Sequence, residues 1–343
     1  MNQSTDSTPL DRPRLRFGLH PDIFKLGWVS FLTDLSSEMI FSVFAIFFTT
    51  VAGASAALLG VIEGLADLSA CSLNYLSGWL SDRTGQRKRF AAAGYAFSTL
   101  AKLILLFSNT VLALGLFRVI ERLGKGFRGP PRDAWLAALA DAKTRGYSFG
   151  VHKALDKAGA VLGPLLAYGL LSWSGETPQA YQTLFWVAFA PALLALLVLA
   201  RIDEPPPGVA RQRESLARHW QALSPEFKRF LLSAGIFALG YFSLGFVLVR
   251  AHALGFDARD IVLLYALFNA TCVLAAPLAG KLGDQIGRRP IVVLGYGLYG
   301  SINLALVFVT QQWQMVALML VYGVFYAVEE SQSKAFIADL EPQ

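Results

Sequence analysis

Gly78–Phe90 reads GWLSDRTGQRKRF and Gly280–Val292 reads GKLGDQIGRRPIV, and these two charged strips interrupt long apolar stretches. Laid over each other, the strips share the pattern G-x-L-x-D-x-x-G-x-R at one offset of 202 residues (280 − 78). Five matches at a constant offset predict an internal duplication, in which each strip is the turn between two helices of one copy. The matched pairs are Gly78 and Gly280, Leu80 and Leu282, Asp82 and Asp284, Gly85 and Gly287, and Arg87 and Arg289.

Each residue type in the strips suits a tight turn between packed helices. The first glycine lets a neighbouring helix approach closely, and the second permits a positive φ, so that the chain can reverse within a few residues. The aspartate can accept hydrogen bonds at a facing helix N-terminus or pair with an arginine. One copy alone could be explained as basic residues that only mark a cytoplasmic loop. Two copies at equivalent positions favour a gating turn in each half.

The composition places the chain in a membrane. Of its 343 residues, 55% are hydrophobic and only 16% are charged, and the mean hydropathy is +0.48. Soluble domains are about 25% charged, so most of this chain would have no polar face for water. The net charge of +6 lies in short clusters between apolar stretches, which is a topology signal and does not indicate a nucleic-acid partner. Cys71 and Cys272 lack metal-ligand spacing, so we expect packing residues, no metal and no cofactor.

Ten apolar windows are long enough to cross a bilayer, which takes about 20 residues per helix. They are 24–52, 56–80, 90–108, 111–128, 146–172, 180–201, 229–251, 259–282, 290–309 and 314–340. They predict an all-α integral membrane protein. Its predicted parts are a tail at 1–23, a six-helix bundle at 24–201, a linker at 202–228 and an incomplete four-helix bundle at 229–343.

Basic residues collect in alternate loops, as in RTGQRKR after the second window, while opposite loops such as SWSGETPQAY hold none. This asymmetry predicts that the N-terminus and the linker lie in the cytoplasm. We therefore expect a multi-pass protein of the bacterial inner membrane.

The strip after the second window resembles the signature loop of the major facilitator superfamily, G-x-L-a-D-r-x-G-r-k. The residues that fit it are Gly78, Leu80, Asp82, Arg83, Gly85, Arg87 and Lys88. Gln86 departs from the usual basic residue. The resemblance implies two pseudo-symmetric helical halves, with ten of the family's twelve transmembrane helices present, and we expect a monomer. FLTDLSSEMIFSVFAIFF and RVIERLGKGFRGPPRDAWLAALAD look like a bacterial subgroup of permeases whose substrates are mostly unassigned.

The fifth window carries a second pattern similar to the family's. GVHKALDKAGAVLGPLLAY fits G-x8-G-x3-G-P-x2-G at Gly150, Gly159, Gly163 and Pro164, with Ala167 in place of the last glycine. In the family this pattern resembles the antiporter motif, which is linked to proton-driven export. Small residues at this spacing also form a flat face for helix packing, so tight packing alone stays an alternative.

The duplication also predicts how the second half ends. KAFIADLEPQ follows the tenth window as WLAALADAKTRGYSFG follows the fourth, which aligns Ala338 and Asp339 with Ala140 and Asp141. By comparison with the first half, two helices would follow, so the chain is expected to be truncated at its C-terminus. In the family the aspartate matching Asp82 faces the eleventh helix, which leaves both its partner and transport by this chain open.

Charged residues inside the windows are candidate functional groups, because a charge at mid-membrane costs about 2.5–3.5 kcal/mol on insertion scales. Asp34 and Glu38 share one face of the first helix, and we expect them to face the bases of the fourth helix across a cavity. Structural salt bridges are the plainer alternative. Candidate residues for proton coupling or the substrate cavity are Asp34, Glu38, Arg118, Glu121, Arg122, His152 and Asp156. Among them, the acids on helices one and five are the expected proton carriers, and the arginines would tune them or hold an anionic group.

These features favour a secondary active transporter that moves a small solute by alternating access. We predict proton-coupled efflux by antiport, with proton-coupled uptake as the alternative. A channel and a non-transporting truncated fragment are further hypotheses. An enzyme is least favoured, because G-x-S-x-G, H-E-x-x-H and P-loop patterns do not occur in the sequence. The expected partners are the solute, protons and the lipid bilayer. Arginines hint at an anionic or zwitterionic solute, and abundant aromatics hint weakly at a hydrophobic one.

Overall fold

A computed structural model describes residues 19–140, 145–203, 220 and 223–340. The helices in these residues are α1 (Pro21–Ile46), α2 (Ala56–Thr84), α3 (Arg87–Phe107), α4 (Val111–Leu139), α5 (Arg145–Ser174), α6 (Pro178–Ala200), α7 (Pro225–Leu239), α8 (Leu244–Ala253), α9 (Ala258–Ile286), α10 (Arg288–Phe308) and α11 (Gln312–Leu340). A π-helical turn, Phe47–Val51, extends α1. Side-chain caps open many of the helices, as where Thr110 accepts from the backbone N–H of Ala113.

All ten predicted windows fall on helices, and the seventh falls on α7 and α8 together. In the described part of the chain, eight segments are long and apolar enough to cross a membrane by length and composition. Helices α4 and α11, which cover the fourth and tenth predicted windows, are not among the eight. The all-α membrane architecture predicted from composition is therefore confirmed.

The helix lengths repeat between the two halves. Helices α2 and α9 both have 29 residues, α3 and α10 both have 21, and α4 and α11 both have 29. Their first residues differ by 202 (258 − 56), 201 (288 − 87) and 201 (312 − 111). Packing repeats as well, because α4 packs on α2 and α3 as α11 packs on α9 and α10. The two pseudo-symmetric halves are thus visible in both length and packing.

The second glycine of each charged strip has the positive φ that the sequence predicted. Gly85 ends α2 with φ 71° and ψ 0°, and its N–H donates to the carbonyl of Ser81. Gly287 separates α9 from α10 with φ 91° and ψ 149°. A side chain would be strained at either position, so both turns depend on glycine.

The seventh window is interrupted, although its apolar sequence predicted one continuous helix. The chain leaves helical structure after α7 and re-enters it at α8, where the Ser243 side chain accepts from the N–H of Gly245. The Tyr299 hydroxyl accepts from the N–H of Phe242 at 3.1 Å and contacts the carbonyl of Gly240 at 3.4 Å. These bonds satisfy backbone groups that a break inside lipid would otherwise leave unpaired.

Two predicted segments lie largely outside the described residues: the tail at 1–23 and the linker at 202–228. The described helices begin inside both segments, α1 at Pro21 and α7 at Pro225. The predicted bundle boundaries at 24 and 229 thus fall three and four residues later than the helix starts (24 − 21, 229 − 225).

The halves contact each other through α1, α2 and α5 on one side and α8 and α9 on the other. One apolar core crosses this interface and includes Phe44 of α1 and Phe47 of the π-helical turn with Val247 and Leu248 of α8. Packing of these side chains adds dispersion attraction between the halves.

Candidate solute-binding cavity

A cavity of about 250 Å³ lies between the two halves. Among the described residues, the charged side chains that line it come from the first half: the acids Glu38, Glu63, Asp67 and Glu121, and the bases Arg118, Arg122 and Lys125. The second half contributes mostly aromatic and hydroxyl side chains: Tyr241, Ser243, Tyr265, Phe268, Tyr322 and Tyr326. The cavity therefore joins a charged wall to an aromatic wall across the interface.

Arg118 is the centre of the charged wall. It is buried, and its Nε and Nη2 donate to the two carboxylate oxygens of Glu63 at 2.6 and 2.8 Å. Its Nη1 donates to Glu121 at 3.5 Å, and its guanidinium carbon lies 4.5 Å from the ring centroid of Phe41. Paired bonds of this fork geometry are strong and directional, so Glu63 holds the guanidinium in a fixed orientation.

Two polar contacts within the cavity connect the halves. The Tyr265 hydroxyl of α9 donates to the carboxylate of Glu38 on α1. The Ser243 hydroxyl at the start of α8 donates to Glu63 on α2 at 3.3 Å. Each contact joins an acid of the first half to a hydroxyl of the second, so both must break if the halves separate here.

The halves also meet at one end of the bundle, which we call the closed end and define by the loops 52–55, 175–177 and 254–257. There, Arg259 Nε lies 3.5 Å from the Glu176 carboxylate, and the backbone N–H of Arg259 donates to the same carboxylate at 3.1 Å. The predicted topology places this end outside the cytoplasm. The cavity is therefore separated from the surface at this end by inter-half contacts.

The seven predicted cavity residues divide into two groups. Glu38, Arg118, Glu121 and Arg122 line the cavity, whereas Asp34, His152 and Asp156 are not among its lining residues. Asp34 is half-buried on α1, one turn or about 6 Å from Glu38.

The two buried α5 groups make contacts of their own. His152 Nε2 lies 2.9 Å from the hydroxyl of Ser30 on α1, and Asp156 pairs with Lys153 at 3.2 Å. Arg132 of α4 also donates to the Ser30 hydroxyl at 3.3 Å. These groups form a separate polar cluster in the first half, on the Asp34 side of the cavity.

The helix-five glycines differ in their surroundings. A Cβ on Gly159 would overlap the carbonyl oxygen of Phe31, and a Cβ on Gly163 would lie 2.7 Å from the carbonyl oxygen of Leu35. Nothing lies within 4 Å of a Cβ on Gly150. Buried Pro164 stands inside the helix. Two of the three glycines thus bring α5 against the backbone of α1.

Most gating-loop residues lie in the ends of helices, whereas the sequence predicted that each whole strip would be a turn. In the first strip, Gly78, Asp82 and Arg83 belong to the last two turns of α2, Gly85 ends that helix and Arg87 begins α3. A Cβ on Gly78 would lie 3.1 Å from Pro130, and the Arg83 guanidinium lies 5.3 Å from the Trp79 ring centroid. In the second strip, Gly280 and Asp284 belong to α9, and their side-chain surroundings lie outside the described part, whereas Gly287 and Arg289 are exposed.

Several residues in or next to this site were not among the candidates, including Glu63, Lys102, Ser243 and Tyr265. Lys102 of α3 is buried and donates to the hydroxyls of Ser36 and Ser37 at 2.7 and 3.2 Å. Glu63 could have been found from sequence, because it lies within an apolar window as Asp34 does. Ser243 and Tyr265 could not have been found in this way, because a hydroxyl side chain in an apolar window does not stand out as a charged one does. Within the described residues, no group of three or more His, Cys, Asp or Glu side chains could hold a metal.

An all-helical membrane bundle of two equivalent halves, with a polar cavity at their interface, is the architecture of secondary transporters. The family model of the Major Facilitator Superfamily matches residues 26–249 and 230–343. The chain therefore belongs to the major facilitator superfamily and is a membrane transporter of that type.

Known proteins support this assignment. An uncharacterized MFS-type transporter of Methanocaldococcus jannaschii is 31% identical over 331 residues, which cover 95% of this chain and 82% of the relative. The multidrug resistance protein MdtH of Cronobacter sakazakii is 30% identical over 148 residues, 41% of this chain and 35% of the relative. A crystal structure of the nucleoside transporter NupG superposes with a TM-score of 0.75 at 13% identity, covering 92% and 83% of the two chains, which shows a shared fold.

Proposed function

We propose that this protein is a proton-coupled secondary transporter that exports a small solute by alternating access. The carrying observation is the position of the cavity, which lies between the halves and is bridged by hydroxyl-to-carboxylate contacts. Rocking of one half against the other would break these contacts and open the cavity to the opposite side.

Glu38 is the proposed proton carrier at the cavity, with Asp34 one turn away. Its partner is the Tyr265 hydroxyl of the other half, and no base lies within ion-pair distance of it among the described residues. Glu38 can therefore take up a proton without breaking a salt bridge, unlike Glu63, which is held by Arg118. Protonation would remove the charged acceptor of the Tyr265 bond and weaken an inter-half contact.

Export is the proposed direction. Its support is the antiporter-like pattern on α5 and the similarity of part of the chain to a protein named for multidrug resistance. Proton-coupled uptake makes the opposite prediction in a vesicle assay. Antiport moves protons against the direction of the solute, whereas symport moves both the same way, so the sign of the pH change inside proteoliposomes decides.

Cross-linking the closed end is expected to stop transport. In a Cys71→Ser, Cys272→Ser background, Glu176→Cys with Arg259→Cys would react with a short bifunctional thiol reagent, because these side chains already touch. The assay records proton flux in proteoliposomes with a pH-sensitive dye, while sugars, peptides, nucleosides, amines and carboxylates are presented in turn. In the cross-linked protein, this flux should fall to background. A reductant that cleaves the link should restore the flux.

The matched control links two loops of the first half only. Asn109→Cys with Glu176→Cys in the same background leaves the two halves free to move relative to each other. The cross-linked form of this variant should therefore transport normally. Undiminished flux in the protein cross-linked between the halves would contradict alternating access.

Neutralising the proposed carrier is expected to separate solute movement from proton movement. Asp34→Asn with Glu38→Gln should keep downhill exchange of solute when the exchange is measured at saturating solute concentration, so that weaker binding does not limit it. The double variant should lose accumulation driven by a pH gradient, because no carboxylate remains there to carry the proton. Asp22→Asn is the control, since it removes a carboxylate of the same helix that pairs with Lys25 at 2.6 Å. Gradient-driven transport at the wild-type rate in the double variant would exclude both residues as carriers.

A further inference from the structure

The charges that line the cavity do not balance. Among the residues that the structure describes, four acids and three bases line it, which gives these side chains a formal charge of −1 (3 − 4). Arg118 already pairs with Glu63 and Glu121, which accept from three of its five N–H donors, and its guanidinium lies against the ring of Phe41. The other two bases lie one and two helical turns further along α4, and Arg122 lies 3.8 Å from the Asp67 carboxylate.

Among the described residues, Glu38 is the lining acid with no base within ion-pair distance, and it lies beside the aromatic wall. The buried ammonium of Lys102 is nearby but donates to Ser36 and Ser37. Tyr265, the partner of Glu38, lies 6.0 Å, centroid to centroid, from Phe268, which in turn lies 5.7 Å from Tyr322. Aromatic faces attract cations, most strongly where water is excluded. A carboxylate beside several rings is thus a complementary site for a positive group.

The protein already uses neighbouring rings in this way for its own cations. The Arg118 guanidinium lies 4.5 Å from the ring centroid of Phe41, and Lys157 Nζ lies 5.7 Å from that of Tyr326. Both rings line the same cavity. The arrangement shows that aromatic side chains of this cavity can act as partners of positive charge.

Resting on the transporter function proposed above, we propose that the solute is a compact organic cation whose ammonium group binds between Glu38 and the rings of Tyr265, Phe268 and Tyr322. The cavity volume of about 250 Å³ lies below the usual range for drug-sized ligands, about 300–1,000 Å³. A single-ring amine or quaternary ammonium compound suits this size. An anionic solute, which the arginines hinted at, would have to compete with Glu63 and Glu121 for Arg118.

Equilibrium binding to the whole chain in lipid nanodiscs tests this proposal without requiring transport. The probes are phenyltrimethylammonium and benzenesulfonate, which each carry one phenyl ring and differ in the sign of their charge. Calorimetry measures their binding to protein-loaded nanodiscs and to empty ones. We expect saturable binding of the cation and none of the anion. Loss of a buried charged partner weakens binding by about 30-fold or more, so Glu38→Gln should raise the Kd of the cation by that factor, and Asp22→Asn should not change it.

A ring substitution tests the aromatic half of the site independently. Tyr322→Leu should weaken the cation about threefold, whereas Tyr322→Phe, which keeps the ring, should bind as wild type. Binding of benzenesulfonate in preference to the cation, or equal binding of the cation by Glu38→Gln, would overturn the proposal, as would no saturable binding of phenyltrimethylammonium to wild type. None of these results depends on alternating access, whose failure would appear instead in the cross-linking experiment.

Discussion

Arg118→Met is expected to destabilise the protein by about 3–5 kcal/mol, because removing one partner of a buried ion pair leaves the other charge uncompensated. Without the guanidinium, the carboxylates of Glu63 and Glu121 would remain buried with no base between them. Because methionine occupies a volume similar to that of arginine, this variant tests the loss of the charge and not the loss of side-chain volume. The measurement is equilibrium unfolding in mixed micelles, followed by tryptophan fluorescence.

Two further variants separate the charge effect from the loss of a side chain. Glu63→Gln keeps Arg118 next to Glu121, so it should cost less than Arg118→Met. The double variant Glu63→Gln with Arg118→Met removes opposite charges together and should recover part of the lost stability. Asp67→Asn disrupts a pair at 3.8 Å whose carboxylate is 59% exposed, and we expect at most about 1 kcal/mol. Arg118→Met with wild-type stability would show that the pair is not structurally important.

Gly159→Ala is expected to be the most damaging single-methyl change on α5, with a cost of about 1–3 kcal/mol. The new Cβ would overlap the carbonyl oxygen of Phe31 and lie 2.9 Å from the backbone N of Leu35. Both contacts are backbone atoms of α1, which cannot rotate away as a side chain can. The helices must therefore move apart, and the same unfolding measurement reports the loss.

Gly150→Ala is the matched control, because it makes the same chemical change in the same helix. A Cβ there meets no atom within 4 Å, so we expect no loss of stability and a gain of up to about 1 kcal/mol from helix propensity. The difference between the two variants isolates helix packing. Equal stability of both variants would argue against close α1–α5 contact at Gly159.

The helical segments were predictable, because the signals that specify them are local. An apolar window of sufficient length specifies a membrane helix wherever it occurs, and the windows fell on helices throughout the described residues. The positive φ of Gly85 and Gly287 was predictable for the same reason, since a reversal between helices needs a residue that tolerates it. The interruption at Gly240–Ser243 was not, because its backbone groups are satisfied by Tyr299, a residue far away in sequence.

The candidate site was only partly predictable. Apolar surroundings identify a charge as costly and therefore of interest, which is how Glu38, Arg118 and Glu121 were found. The partner of each charged side chain could not be predicted, because it depends on the distances between helices. The bases of α4 were expected to face the acids of α1, yet the closest partner of Arg118 is Glu63 of α2. Lys102 is similar, since only the packing of α3 behind α1 brings its ammonium to Ser36 and Ser37.

By itself the amino-acid order determined that this chain lies in a membrane, where its helices run, that its halves are copies and which of its charges are costly. Hydrophobicity and residue spacing act over one or two helical turns, and the duplication is a repeat within the sequence itself, so none of these properties requires a contact between separate helices. Tertiary structure alone decided that Arg118 pairs with Glu63 and Glu121, that Glu38 faces Tyr265, and that the charged wall of one half meets the aromatic wall of the other. Hydrogen bonds and ion pairs form only within a few ångströms, and only the assembled bundle brings residues of separate helices that close.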